Sequence, residues 1–273
     1  VTSYPSNATN TIGLNKYVEG REIGEIWGLQ TIGIAKSEEE MQAHLSSLPK
    51  GGQEAIGSKW SAGDIMYRDL NGDGKISKGA STLDDHGDLK VIGNSTPRYF
   101  FGIDLNADWK GFDVRLFFQG VMKRDYWGKD NFCGYLFGAR GDKDMWHARG
   151  LVEHQDYFRA QAIGIDGHEI PANLDAYYPR PVFKEGAKNQ ETQSRYLQDA
   201  SYIRLKNVEL AYTWNKGWIR KLGLGNLKIY VNGNNLWLWT RMPDDREANL
   251  SGAGYLGAYP TVKRYNFGIK FTL

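Results

Sequence analysis

In this chain of 273 residues, the types and spacing most suited to chemistry fall in one short run, Asp69-Leu-Asn71-Gly-Asp73-Gly74-Lys75-Ile-Ser77. It matches the first nine positions of a calcium loop: side-chain oxygens at positions 1, 3 and 5, glycine at 6 for the sharp turn, and a main-chain carbonyl at 7. Hard oxygen donors at this spacing converge on one point, which makes Asp69, Asn71, Asp73 and, through its carbonyl, Lys75 the candidate Ca2+ ligands. Position 12, where a bidentate Glu is expected, is Ala80. The nearest acids are Asp84, Asp85 and Asp88, so a complete site needs a different closure. The same residues also favour a plain Asx and glycine turn in a surface loop.

Other reactive groups carry less. The five histidines, His44, His86, His147, His154 and His168, show no metal-motif spacing, and the single Cys133 cannot form an internal disulfide. Asp84-Asp85 and Asp244-Asp245 have the right type for acid–base work but sit in loop-like sequence. Gly51-Gly52 and Gly252-Ala-Gly254 lack the strand-turn-helix context of a phosphate cradle. No catalytic residue and no cofactor-binding residue is nominated, and enzymatic activity is not expected. Between 122 and 200, Tyr126, Trp127, Tyr135, Trp146, Tyr157, Tyr177, Tyr178 and Arg180 suit stacking on sugar rings or docking a partner. They suit equally well the task of holding a long loop in place.

The elements that must position these groups are β-strands. Thirty-three glycines and a 13% aromatic content lean away from a helical bundle. Tyr99, Phe101, Ile103, Leu105 and Ala107 alternate with Gly102, Asp104, Asn106 and Asp108. After a short turn at Trp109-Lys-Gly, Phe112, Val114, Leu116 and Phe118 alternate with Asp113, Arg115 and Gln119. Tyr265, Phe267, Ile269, Phe271 and Leu273 form another apolar row. Strands are also expected at 201 to 213 and 226 to 239, each with a break in phase, near Lys206-Asn207 and after Gly233. A weaker strand is expected at 22 to 35, and a single short helix near Lys216 to Leu222.

Connections of alternating length join these strands, with long loops at 36–97, 122–200 and 240–261. No apolar run approaches the ~18 residues of a membrane helix, but alternating strands of a membrane barrel remain open. Outer-membrane barrels have short turns on one side and long loops on the other. The expected fold is therefore all-β, an antiparallel transmembrane barrel with long extracellular loops. Tyr99, Trp109, Tyr212, Trp214, Trp237, Trp239 and Tyr265 are placed to form its interfacial girdles. A soluble antiparallel sheet alternates in the same way. A net charge of +2 nominates no nucleic-acid partner.

Five runs in order carry a family resemblance: Gly63-Asp-Ile-Met-Tyr-Arg-Asp-Leu-Asn-Gly-Asp-Gly-Lys-Ile, Val91-Ile-Gly-Asn-Ser-Thr-Pro-Arg-Tyr, Trp109-Lys-Gly-Phe-Asp with Phe117-Phe-Gln-Gly120, Ser201-Tyr-Ile-Arg-Leu-Lys-Asn-Val-Glu-Leu-Ala-Tyr, and Asn232-Gly-Asn-Asn-Leu. Together they resemble the C-terminal part of a SusC/RagA-type TonB-linked outer-membrane transporter over most of residues 20 to 273. The resemblance implies residues 1–273 as the C-terminal segment of a 22-stranded barrel closed around a plug, with plug and TonB-contacting box supplied elsewhere. It also implies a SusD-type surface lipoprotein as a lid and TonB-driven import of oligosaccharides or peptides. About six strands cannot close such a barrel, so the chain is expected to be a piece of a longer protein. The alternative from the residues alone is a soluble, secreted β-rich calcium- or carbohydrate-binding module; a glycoside hydrolase ranks third.

Overall fold

The computed structural model describes residues 5–127, 155–165, 167–182, 186–215, 217–242 and 261–272. In chain order the elements are β1 (Glu25–Leu29), β2 (Thr31–Ile34), α1 (Glu38–Ser46), β3 (Ile65–Tyr67), β4 (Leu89–Asn94), β5 (Tyr99–Trp109), β6 (Phe112–Met122), β7 (Asp125–Tyr126), β8 (Ile163–Ile165), β9 (His168–Ile170), β10 (Gln198–Asp199), β11 (Tyr202–Trp214), α2 (Gly217–Lys221), β12 (Asn226–Thr240) and β13 (Arg264–Thr272). Among the described residues no helix is long and apolar enough to cross a membrane. The chain divides into two compact units, residues 1–95 with 127–197, and residues 96–126 with 198–273.

The second unit is an antiparallel meander of long strands in the order β13-β12-β11-β6-β5. A two-residue turn joins β5 to β6, with Lys110 and Gly111 both in the left-handed region (φ 47° and 91°). That geometry matches the right-handed twist of the flanking strands, and glycine adopts it without strain. Both phase breaks appear as one irregularity: Leu205 pairs with Trp237 and Asn207 with Asn234, so Lys206 faces the two residues Asn235 and Leu236. This bulge restores register, and Ile203, Leu205, Val208, Leu210 and Tyr212 share one face despite their shift in sequence phase. The described outer edges of β5 and β13 pair with no further strand, so the sheet is open.

The first unit departs from the expected strand and helix content. The strand expected at 22–35 is not part of the long sheet: it splits into β1, paired with β4, and β2, paired with β3. Within the long connections expected at 36–97 and 122–200, described residues supply part of a body with a core of Leu29, Ile34, Met41, Ile65, Tyr67, Ile76, Phe158, Tyr178 and Tyr196. The expectation of a single helix also fails, because α1 precedes it. Ser37 caps α1 by accepting from the Glu40 N–H at 3.2 Å, and Glu40 accepts from the Lys36 N–H at 2.6 Å. A serine followed three residues later by glutamate is a helix-start signal in sequence.

A buried polar network ties the two stretches of this unit together. Lys188, 2% exposed, places its Nζ 2.7 Å from Asp64 Oδ2 and 2.8 Å from the Lys59 carbonyl, above the Trp60 ring. Asp64 also accepts from Asn189 Nδ2 at 3.0 Å and Arg180 Nη2 at 3.2 Å. Gln53 donates to the Ile65 carbonyl and accepts from the Tyr67 N–H, while the Tyr67 hydroxyl donates to the Lys188 carbonyl. Burial of these groups is tolerated because each finds partners.

Candidate functional site

Pairing across the five strands assigns every regular position of the sheet to one of two faces. On the first lie Tyr99, Phe101, Ile103, Leu105, Ala107 and Trp109 of β5, and Phe112, Val114, Leu116, Phe118, Gly120 and Met122 of β6. Ile203, Leu205, Val208, Leu210, Tyr212 and Trp214 continue it on β11, Leu227, Ile229, Val231, Gly233, Trp237 and Trp239 on β12, and Tyr265, Phe267, Ile269 and Phe271 on β13. Not one of these residues carries a charge or an amide.

The face is open. Leu105 is 53% exposed, Trp109 67% and Phe267 66%. An apolar surface of this continuity in water marks an interface with protein or lipid. Its composition along the strands identifies lipid: aromatics band both ends, with Trp109, Phe112, Tyr212 and Trp214 at one and Tyr99, Trp237, Trp239 and Tyr265 at the other, and Ile, Leu, Val and Ala occupy most of the middle. Phe112 and Tyr212 pack edge-on at 4.5 Å between ring centres, and Tyr212 and Trp214 at 4.4 Å. The 11 residues of β5 measure about 34 Å along the strand at ~3.4 Å each. A tilt of ~40° brings that to roughly 26 Å, the height of an outer-membrane apolar band.

The opposite face is polar and internally paired. Arg115 grips Asp104 through Nε and Nη2 at 3.0 and 2.6 Å, and Lys228 meets Asp113 at 2.9 Å. Asn266 donates to Asn232 at 2.6 Å, and Asn207 to Asn234 at 3.0 Å. Cross-strand charges and amides of this kind belong on a wetted wall. All seven residues expected to form girdles lie on the apolar face. A soluble module is disfavoured by the same observation, since a face this greasy would be left in water.

The 69–77 loop is folded on its own side chains. Asp69 accepts the Gly72 N–H at 2.6 Å through Oδ1 and the Gly74 N–H at 2.8 Å through Oδ2. Asn71 accepts from the Asp73 N–H, and Asp73 from the Lys75 N–H. Gly72 and Gly74 have φ of 73° and 82°. The loop is moored by Lys50 N–H to Gly74 O and by Ile76 N–H to Gly52 O, with Ile76 fully buried.

The three acids near position 12 are otherwise engaged. Asp88, fully buried, accepts the Leu70 N–H at 2.7 Å and the Ser77 N–H at 2.8 Å, stitching the start of the loop to its end. Burial raises its pKa, and the main-chain donors pull it back in part. Asp85 accepts from the Ala80 N–H, and Asp84 from the Thr82 hydroxyl. Among the described residues no three His, Cys, Asp or Glu side chains gather to hold a metal ion. Two carboxylates, one amide and one carbonyl are thus what this loop offers, a donor set that fits a weak hard-cation site.

The remaining candidates separate. His44 Nε2 lies 3.2 Å from Gln53 Oε1, and burial lowers its pKa below the ordinary 6.5 while that bond pulls it back up. His86 packs against Trp27, and His168 is exposed on β9. Tyr177, Tyr178 and Tyr196 pack on one another, with Arg195 donating to the Tyr177 and Ala176 carbonyls, so this part of the aromatic run holds structure. Tyr135, Trp146, Cys133, His147, His154, Asp244, Asp245, Gly252, Gly254 and Leu273 lie outside the described residues. Sequence reasoning missed Lys188 and Asp64, since a lone Lys and a lone Asp 124 positions apart carry no local pattern.

No protein-family model matches the chain. Among curated proteins it is 28% identical over 266 residues to TonB-dependent receptor P3 of Formosa agariphila, covering 92% of this chain and 22% of that protein. It is 26% identical over 279 residues to TonB-dependent receptor P26 of the same organism, covering 95% of this chain and 24% of that protein. The chain therefore spans about a quarter or less of the curated relatives it matches. Among solved structures it resembles a chain of the RagAB peptide transporter, with a TM-score of 0.54 and 17% identity over 91% of this chain and 23% of that one. The closed-closed state of the RagAB peptide importer gives 0.52 and 17% over 95% and 25%. In sequence, over most of its length, the chain is similar to part of TonB-dependent receptors, and in fold it is similar to part of a chain of the RagAB outer-membrane transporter.

Proposed function

We propose that the chain forms part of a transporter that imports nutrients across the outer membrane, driven through TonB. The observation that carries this is the unbroken apolar face of the sheet, backed by a polar, ion-paired face suited to the inside of a barrel. The remaining barrel strands and the plug come from the rest of the protein. The long connections at 36–97, 122–200 and 240–261 are the extracellular segments that meet the substrate and a SusD-type lipoprotein lid. The substrate is an oligosaccharide or a peptide; the similarity to a peptide transporter supports the second. The 69–77 loop takes up Ca2+ weakly, near the 10⁻⁴–10⁻³ M range of extracellular modules.

Uptake of labelled oligosaccharide and peptide pools by cells with and without the gene tests the import reading. Uptake that disappears on deletion and on collapse of the proton-motive force supports it; uptake unchanged by either rejects it. Terbium luminescence tests the loop: a saturable signal lost in Asp69→Ala and Asp73→Ala is expected, and a signal indifferent to both would end the calcium reading.

A further inference from the structure

We propose that the turn between β11 and β12 is an interfacial foot that binds the phosphate-bearing headgroup layer of the leaflet on the short-turn side of the membrane. The turn is folded: Ile219 of α2 is fully buried, and its carbonyl accepts the Leu222 and Leu224 N–H groups at 3.0 and 3.3 Å. Around that anchor, Trp218 and Leu222, one helical turn apart, are 50% and 66% exposed. Arg220 and Lys221 beside them are exposed too, and residues 215–226 contain no Asp or Glu.

The position of this turn decides its occupant. It leaves β11 at Trp214 and enters β12 at Leu227, a pair on the apolar face. The neighbouring β5–β6 turn is joined to the last residues of β11, just before this turn, by the Thr213 N–H donating to the Gly111 carbonyl at 2.8 Å, and there Lys110 Nζ stands 4.8 Å over the Trp109 ring. The exposed Trp and Leu therefore extend the aromatic girdle of the lipid-facing sheet, and the charged residues of the two turn segments, 109–111 and 215–226, are all cationic. Indole at headgroup depth with Lys and Arg reaching lipid phosphate is the arrangement an anionic leaflet stabilises.

This inference rests on the membrane-spanning reading of the sheet, and the test separates the two. In the transporter that carries the chain, with Cys133→Ser and no other cysteine, a nitroxide is attached at Trp218→Cys, at Val114→Cys on the apolar face, or at Glu39→Cys on α1. The protein is reconstituted in phosphatidylglycerol-containing vesicles, and collision with oxygen and with a neutral nickel chelate reads depth. Position 114 should read as hydrocarbon and position 39 as water. Position 218 should read as interfacial, its oxygen-to-nickel ratio several-fold above that at 39 and falling in pure phosphatidylcholine and in Arg220→Gln/Lys221→Gln. A water-like reading at 218 overturns the foot, as does shielding from both reagents, which would mean a protein covers it. A depth indifferent to lipid charge overturns it too. Water at 114 would overturn the membrane reading and the foot with it.

Discussion

Asp88 does for the 69–77 loop what a cation does for a complete calcium loop, by holding its two ends together through main-chain N–H groups. Replacing it with Ala takes the acceptor from two part-buried donors, at a cost of about 1 kcal/mol or more. Asp88→Ala should therefore lower the melting temperature of the unit by several degrees while Asp69→Ala lowers it less, as differential scanning fluorimetry in detergent would read. His44 gives the unit a pH dependence. The unfolded chain takes up a proton near the ordinary 6.5, and the folded chain only at lower pH. Between those values the unfolded state holds more protons, so stability present above 6.5 is lost on acidification. His44→Gln should flatten the melting temperature between pH 7 and 5; an unchanged slope would exclude His44 as its source. At this scale the loop itself was legible, because its spacing is local, whereas the role of Asp88 was not, because it depends on where residue 88 returns.

Strand positions read well from alternation: β5, β6 and β13 fall within a residue or two of their expected bounds, and the bulge lies where the phase breaks. Period-two patterning survives because one face must be apolar along its whole length. The short strands β1 to β4 are not separable in sequence, since runs of three to six residues are too short to show a period. The helix α1 is announced only by its Ser37 and Glu40 start signal, because Met41 is its one buried residue and no apolar stripe marks it. Glycine within strands has one further use. A Cβ on Gly120 would collide with the Phe101 ring, which lies over it from the adjacent strand. Gly120→Val should destabilise the sheet by about 1–3 kcal/mol, and Phe101→Ala should recover much of that in the double variant; additive losses would show that the two do not touch.

At the scale of the molecule, the two faces of the sheet define opposite solvents. Leu105→Arg, at the middle of the apolar face, should cost about 2–4 kcal/mol in folding free energy from lipid vesicles, and Trp109→Arg at its rim about 0–1. Equal costs would show that the face is not lipid-bathed. The barrel wall was readable because its pattern is written in each strand. The compact unit built from two distant stretches was not, since contacts such as Tyr67 to Lys188 join residues 121 apart. Contacts that remote ordinarily make folding slow, because a long stretch of chain must close before they form. The β5–β6 hairpin changes that count. With Tyr99 paired to Met122, the chain leaves the hairpin beside the point where it entered. The stretch that must wander is thereby shortened by the whole hairpin, which trims the entropy of closure by a few tenths of a kcal/mol at most, since that cost grows only as the logarithm of length.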